Sequence, residues 1–139
     1  MSRIVTRTVL FGSGALLGLI GGALMLSPKA FLETSHVFID QDPGLMSELA
    51  APSGLLIIAS TLLILGAIRV RFANLALSIG AIVYGSYGFG RLISMALHGL
   101  PSDSLIVATV IEFVVAALLV ALRLTGPSRR ASRVGLPAT

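Results

Sequence analysis

Long apolar stretches separated by short polar segments run through most of the chain. Each stretch has at least 18 residues, which is enough for an α-helix to cross the roughly 30 Å hydrocarbon core of a bilayer. Water-soluble folds arrange their apolar residues as stripes along amphipathic elements instead. The pattern therefore predicts an all-α protein, an antiparallel up-down bundle of four transmembrane helices at about residues 9–26, 49–68, 73–97 and 104–122.

The composition supports a membrane protein of a single domain. Hydrophobic residues make up 55% of the 139 residues and charged residues only 12%, about half the usual share in soluble domains. We expect a membrane domain at residues 1–125 and a basic, mobile cytoplasmic tail at residues 126–139. The chain has no cysteine, which excludes disulfides and thiolate metal sites.

The first apolar stretch also has the layout of a secretory signal peptide, because Arg3 and Arg7 precede it. No small-x-small cleavage pattern follows, and Pro28 ends the stretch as proline commonly ends a helix. We therefore expect this segment to be retained as a membrane helix. In the long connection that follows, residues 28–38 predict a short interfacial helix, and Asp42 followed by proline predicts the start of the next one.

The distribution of basic residues predicts the orientation in the membrane. Loops that stay in the cytoplasm carry an excess of Lys and Arg. Eight arginines fall on the side of the two termini, at positions 3, 7, 69, 71, 123, 129, 130 and 133, whereas Lys29 is the single base on the other side. We expect both termini in the cytoplasm and the protein in a bacterial inner membrane.

Three ionisable residues, Glu48, Arg91 and Glu112, fall within or at the edge of the apolar stretches. A lone charge in hydrocarbon costs at least ~2.5 kcal/mol, so such residues usually face the bundle interior and have partners. At a rise of 1.5 Å per residue, Arg91 and Glu112 lie about 10 Å and about 12 Å below the outer ends of adjacent helices. The sequence predicts an Arg91–Glu112 ion pair, with Glu48 as a second acceptor for the guanidinium.

A polar face on the third predicted helix extends this charged cluster. Tyr84, Tyr87, Arg91 and Ser94 follow one another at spacings of three or four residues and therefore share one side of the helix. With the two acids they predict a polar pocket that opens toward the outer leaflet. The cluster has three interpretations: it locks the helices together, it binds a lipid or another small amphiphile, or it moves protons or ions.

Glycines on the first predicted helix indicate close helix packing. Gly14, Gly18 and Gly22 repeat every four residues, a spacing that lets a second helix approach closely. Packing within the chain is the preferred interpretation over dimerisation, because a chain with four spans offers its own partner helices.

Motifs of common enzyme chemistries are absent from the sequence. There is no phosphate-binding glycine loop with its lysine, no pair of histidines at metal-ligand spacing and no serine in a nucleophile elbow. We predict no catalytic residue, no cofactor and no metal site. The arginines lie beside apolar segments and are not interleaved with aromatic residues, so we also predict no nucleic-acid partner.

Four short motifs carry a resemblance to a known family. They are Ser47-Glu48, the segment 90–94 (GRLIS), the turn 99–101 (GLP) and Glu112. Their order resembles the bacterial family of small four-span membrane proteins called domain of unknown function family 4345, which is distantly similar to DoxX-like proteins. The resemblance covers nearly the whole chain, and it implies a fold without an established activity.

Three hypotheses of function follow. The preferred one is a non-enzymatic bundle whose outer-leaflet pocket binds a membrane lipid or small amphiphile. The second is a subunit or assembly factor of a larger, redox-linked membrane complex, motivated by the glycines and the DoxX-like resemblance; a homo-oligomer is a separate possibility for the partner. The third is a membrane isomerase in which Glu48 or Glu112 acts as general acid or base.

Overall fold

The computed structural model describes residues 3–125, and this part of the chain is helical without any strand. The predicted mobile tail, residues 126–139, lies outside the described residues. The all-α prediction is confirmed. The five helices are α1 (Arg3–Leu26), α2 (Pro28–Glu33), α3 (Pro43–Ile68), α4 (Val70–His98) and α5 (Asp103–Thr125).

Four of these helices, α1, α3, α4 and α5, are long and apolar enough to cross a membrane. The shortest of them, α5, has 23 residues and is therefore about 35 Å long. This confirms four membrane-length helices. Each helix extends beyond the predicted apolar stretch, because hydrogen bonding continues past the point where hydropathy falls.

The start of α3 shows how a local signal sets a helix boundary. The carboxylate of Asp42 accepts a hydrogen bond from the backbone N–H of Leu45 at 2.9 Å, and Pro43 occupies the first turn. Both features stabilise a helix N-terminus. The helix thus begins about two turns before the apolar stretch that predicted it, and it continues through Pro52.

Small residues bring α1 and α3 together. A Cβ added at Gly14 would lie 3.0 Å from side-chain atoms of Leu63 and Ile64, and one added at Gly21 would lie 2.9 Å from Leu56. The hydroxyl of Ser60 donates to the carbonyl of Gly14 at 2.6 Å. Residues later in α1 contact residues earlier in α3, so the two helices run in opposite directions.

The predicted role of Gly22 in this packing is wrong, although Gly14 and Gly18 do face α3. A Cβ at Gly18 would lie 2.7 Å from the Ser60 hydroxyl, whereas one at Gly22 would meet nothing within 4 Å. The physical reason is the helical period of 3.6 residues, which rotates a strict four-residue repeat away from the contact. Gly21 takes the place of Gly22 on the packed face.

Helix α4 packs between α3 and α5. A Cβ at Gly80 would meet the methyl groups of Leu63 on α3 at 3.2 Å and of Leu119 on α5 at 2.9 Å, so a larger residue there would move these leucines where three helices meet. Nearer the end of α4, a Cβ at Gly88 would lie 3.0 Å from the Phe113 ring. These contacts fix the register of α4 against α5, and this register places the candidate site.

Candidate functional site

A cavity of about 320 Å³ lies among the five helices, with α3 contributing a single lining residue. Apolar side chains form most of its wall, including Leu17 and Leu24 of α1 and Leu105 of α5. Arg91 and Glu112 supply its charged groups. Pockets that take small molecules have volumes of roughly 300–1,000 Å³ and combine apolar walls with a few polar groups. The cavity has the size and the lining of a small ligand site.

Helix α2 and the residues after it contribute part of this wall. Phe31 and Leu32 line the cavity and are half-buried, whereas Lys29 and Glu33 on the same helix are exposed. The segment after α2 is held in place by Ser102, whose hydroxyl donates to the carbonyl of Ser35 at 2.8 Å. The predicted short helix is therefore present, although it ends at Glu33 and not at residue 38, and it forms one side of the cavity.

Arg91 and Glu112 form the predicted ion pair. Nε of Arg91 donates to Oε1 of Glu112 at 3.1 Å. The Glu112 side chain is 13% exposed and that of Arg91 is 34% exposed, so the pair is largely removed from solvent. The register set by Gly88 and Phe113 brings the two residues to the same height, as the equal depths in the sequence predicted.

The pair leaves much of its hydrogen-bonding capacity unused. A guanidinium carries five N–H donors, and a carboxylate has two acceptor oxygens. Within residues 3–125, Arg91 uses only its Nε–H, and Oε2 of Glu112 is buried without a hydrogen-bond partner. An unsatisfied buried polar group costs about 1–3 kcal/mol, and a charged one more. Arg91 therefore has donors available for another polar group, whereas Oε2 of Glu112 is an unpaired acceptor enclosed by the protein.

The two tyrosines of the predicted cluster have different surroundings. Tyr84 is buried, and its hydroxyl donates to the carbonyl of Ser13 on α1 at 2.7 Å. It joins α4 to α1, a contact that the sequence did not predict. Tyr87 is half-buried and lines the cavity, and its hydroxyl makes no hydrogen bond among the described residues. Tyr87 is the tyrosine whose hydroxyl is free to contact a ligand.

Ser94 lies near Arg91 but does not line the cavity. It is exposed, and together with Tyr87, Gly90 and Arg91 it forms a shallow groove on another side of α4. A Cβ added at Gly90 would meet nothing within 4 Å, so this groove is open. Arg91 therefore borders two spaces, and Ser94 borders only the outer one.

The predicted contact between Glu48 and Arg91 is wrong. Glu48 is exposed, does not line the cavity and makes no hydrogen bond or ion pair within the described part of the chain. The nearest residue on α3 that lines the cavity is Leu56, which lies about 12 Å farther along the helix axis. Eight residues of helix also turn Glu48 by about 80° around the axis from Leu56, so Glu48 does not share the side of α3 that faces the cavity.

Several contributions to the site were not predicted from the sequence. Phe31 and Leu32 had a usable signal, since two adjacent apolar residues in a short polar helix indicate a face that packs on something. The hydrogen bond between Ser102 and Ser35 had no such signal in the sequence, because it joins residues far apart in the chain. In the described residues, no group of three or more His, Asp or Glu side chains is placed to hold a metal ion.

Comparison with known proteins identifies one family. The family described as "Domain of unknown function (DUF4345)" matches residues 5–123, a range that includes the ion pair and reaches into all four membrane-length helices. No curated protein and no solved structure matches the chain.

Proposed function

The chain belongs to the DUF4345 family, and on that premise we propose that it is a multi-pass membrane protein whose cavity binds a small amphiphile. The apolar tail would occupy the space beside Leu17, Leu24 and Leu105, and the head group would bond to Arg91 and Glu112. One observation carries the proposal: an ion pair with unused donors and a buried, unpartnered oxygen borders an apolar cavity of ligand size.

Physical chemistry favours occupation of this site. Each methylene group moved from water to an apolar environment contributes about 0.8 kcal/mol. A lipid tail gains less than this when it comes from the bilayer, because it is already in oil. Selective binding from a membrane therefore depends on the head group, and the unused hydrogen-bonding groups of Arg91 and Glu112 supply the required polar contacts.

The proposed location is a bacterial inner membrane, with both termini in the cytoplasm. The support is the excess of arginine on the side of the termini, where the α1 residue Arg7 also donates to the carbonyls of Ala67 and Ile68 at the end of α3. In this orientation Arg91 and Glu112 lie in the outer half of the bilayer. An amphiphile would then enter the cavity from the outer leaflet.

The test is retention of a bound amphiphile by protein taken from native membranes. Ala108 lines the cavity, so Ala108→Phe would place an aromatic ring in the space for the tail while leaving Arg91 and Glu112 unsubstituted. Ala117 is exposed on the same helix, so Ala117→Phe is a matched control. Native mass spectrometry should show an adduct on the wild type and on Ala117→Phe, and loss of that adduct from Ala108→Phe.

Two results would count against this function. A wild-type protein extracted gently from membranes without any adduct would leave the cavity without a natural ligand. An adduct that persists in Ala108→Phe at the wild-type level would show that the amphiphile binds elsewhere on the apolar surface.

The two alternative functions have less support from the residues that motivated them. Gly14 and Gly18, which motivated a larger complex, contact α3 of the same chain. Of the two acids considered for an isomerase, Glu48 is exposed and outside the cavity, so only Glu112 remains as a candidate acid or base.

A further inference from the structure

The volume of the cavity limits the size of its occupant. At roughly 30 Å³ for each water-sized group, the 320 Å³ cavity holds about ten non-hydrogen atoms. This number corresponds to one medium-length alkyl chain, or to part of a longer one. The second acyl chain of a phospholipid would therefore lie outside this space.

The charges at the cavity limit the head group. Arg91 and Glu112 contribute one positive and one negative charge, and no other Lys, Arg, His, Asp or Glu lines the cavity in the described residues. An anionic head group that approaches the guanidinium also approaches the carboxylate, which repels it. A cationic head group that approaches the carboxylate is likewise repelled by the guanidinium. Both lose in repulsion much of what they gain in attraction, and both give up hydration. A zwitterionic head group would pair with both side chains, but it gives up the hydration of two charges, whereas an uncharged head group avoids both costs.

The hydrogen-bonding groups complete the description of the head group. Arg91 has N–H groups that need an acceptor, and the carboxylate of Glu112 needs a donor. The terminal torsion of glutamate is broad, so a small rotation would turn Oε2 toward a group in the cavity. A hydroxyl is the smallest uncharged group that both accepts and donates, and Tyr87 offers a further hydroxyl beside it.

We infer that the cavity takes a single-chain amphiphile with an uncharged, hydroxyl-bearing head group, such as a fatty alcohol or a monoacylglycerol. This inference rests on the proposed function, because it names the chemical class of the ligand for the same site. The hydroxyl oxygen accepts from the Arg91 guanidinium, and its proton is donated to the Glu112 carboxylate.

The test compares three probes with the same chain and different head groups. Decan-1-ol, decane-1-sulfonate and decylammonium are titrated against the full chain in lipid nanodiscs, and dissociation constants are measured by native mass spectrometry. Ala108→Phe in identical nanodiscs measures binding outside the cavity. We expect the wild type to bind decan-1-ol at least about tenfold more tightly than either ion, since like charges a few ångströms apart repel strongly at a partly buried site.

A second variant makes the test specific for the charges. Glu112→Gln keeps the size and an acceptor oxygen but leaves the positive charge of Arg91 unbalanced. In this variant we expect the order to change, with decane-1-sulfonate binding at least as tightly as decan-1-ol. Decylammonium should remain weak in both proteins.

The outcomes separate this inference from the proposed function. If decane-1-sulfonate or decylammonium binds the wild type as tightly as decan-1-ol, the head-group assignment is overturned, although the cavity remains an amphiphile site. If no probe binds the wild type more tightly than it binds Ala108→Phe, the proposed function itself fails.

Discussion

Replacing Arg91 by methionine tests how much the ion pair contributes to the stability of the bundle. The substitution keeps an unbranched side chain but leaves the Glu112 carboxylate, which is only 13% exposed, without its single hydrogen-bond donor. Breaking a fully buried pair costs about 3–5 kcal/mol. Arg91 is 34% exposed, so we reduce this figure and expect a loss of about 1–3 kcal/mol in the free energy of unfolding.

A double-mutant cycle distinguishes the pair from a general effect of packing. Glu112→Leu is combined with Arg91→Met, and unfolding of each protein is followed by circular dichroism in mixed micelles of rising SDS fraction. Replacing both members of a buried pair by apolar groups is often close to neutral, so the double variant should be more stable than Arg91→Met alone. Arg123→Met, at an exposed arginine near the end of α5, is the control and should change stability little.

The cycle can refute the reasoning directly. If the effects of the two single substitutions simply add, the coupling energy is zero and the two side chains do not depend on each other. Equal losses for Arg91→Met and Arg123→Met would likewise show that the charge of Arg91 has no special partner.

Three further predictions concern the packing around the cavity. Gly14→Val should cost about 1–3 kcal/mol in SDS unfolding because its side chain would overlap α3, whereas Gly22→Val, in open space, should be close to neutral; equal effects would contradict the packed face. Tyr84→Phe should cost about 0.5–1.5 kcal/mol through loss of one hydrogen bond to α1, and Tyr87→Phe should cost less in the same assay. Ser102→Ala should speed backbone hydrogen exchange in the segment after α2, measured by mass spectrometry, and unchanged exchange would show that its hydroxyl does not hold this segment.

The positions of the helices and of the ion pair could be predicted from the sequence for related reasons. Long apolar stretches have one stable backbone in oil, the α-helix, because every backbone N–H and C=O must be paired. A short turn between α4 and α5 makes them neighbours, and counting residues from that turn gives the depths of Arg91 and Glu112. Local information therefore determined a contact between two helices.

The contact with Glu48 could not be obtained in this way. Glu48 lies near the start of α3, whereas α3 joins α4 at its other end, so the position of Glu48 relative to Arg91 depends on how the two helices pack along their whole length. Hydropathy locates the middle of a transmembrane segment better than its ends, since the polar first turns carry no apolar signal. A residue at the edge of a stretch, such as Glu48, is therefore the hardest to place.

The cover of the cavity depends on contacts between distant parts of the chain. The apolar residues Phe31 and Leu32 indicate that α2 packs on something, but not on what. That choice depends on the bond from Ser102 to the segment after α2, which has no local sequence signal. The shape of a cavity lined by five helices depends on the packing of the whole bundle.

The most direct test of the account is an experimental structure of the chain taken from native membranes without exchange of its bound lipids. We predict elongated density in the cavity, with a polar end about 2.7–3.2 Å from the guanidinium of Arg91, and the carboxylate of Glu112 on the other side of that contact. An empty cavity, with the guanidinium turned toward lipid or water and no carboxylate beside it, would contradict the account.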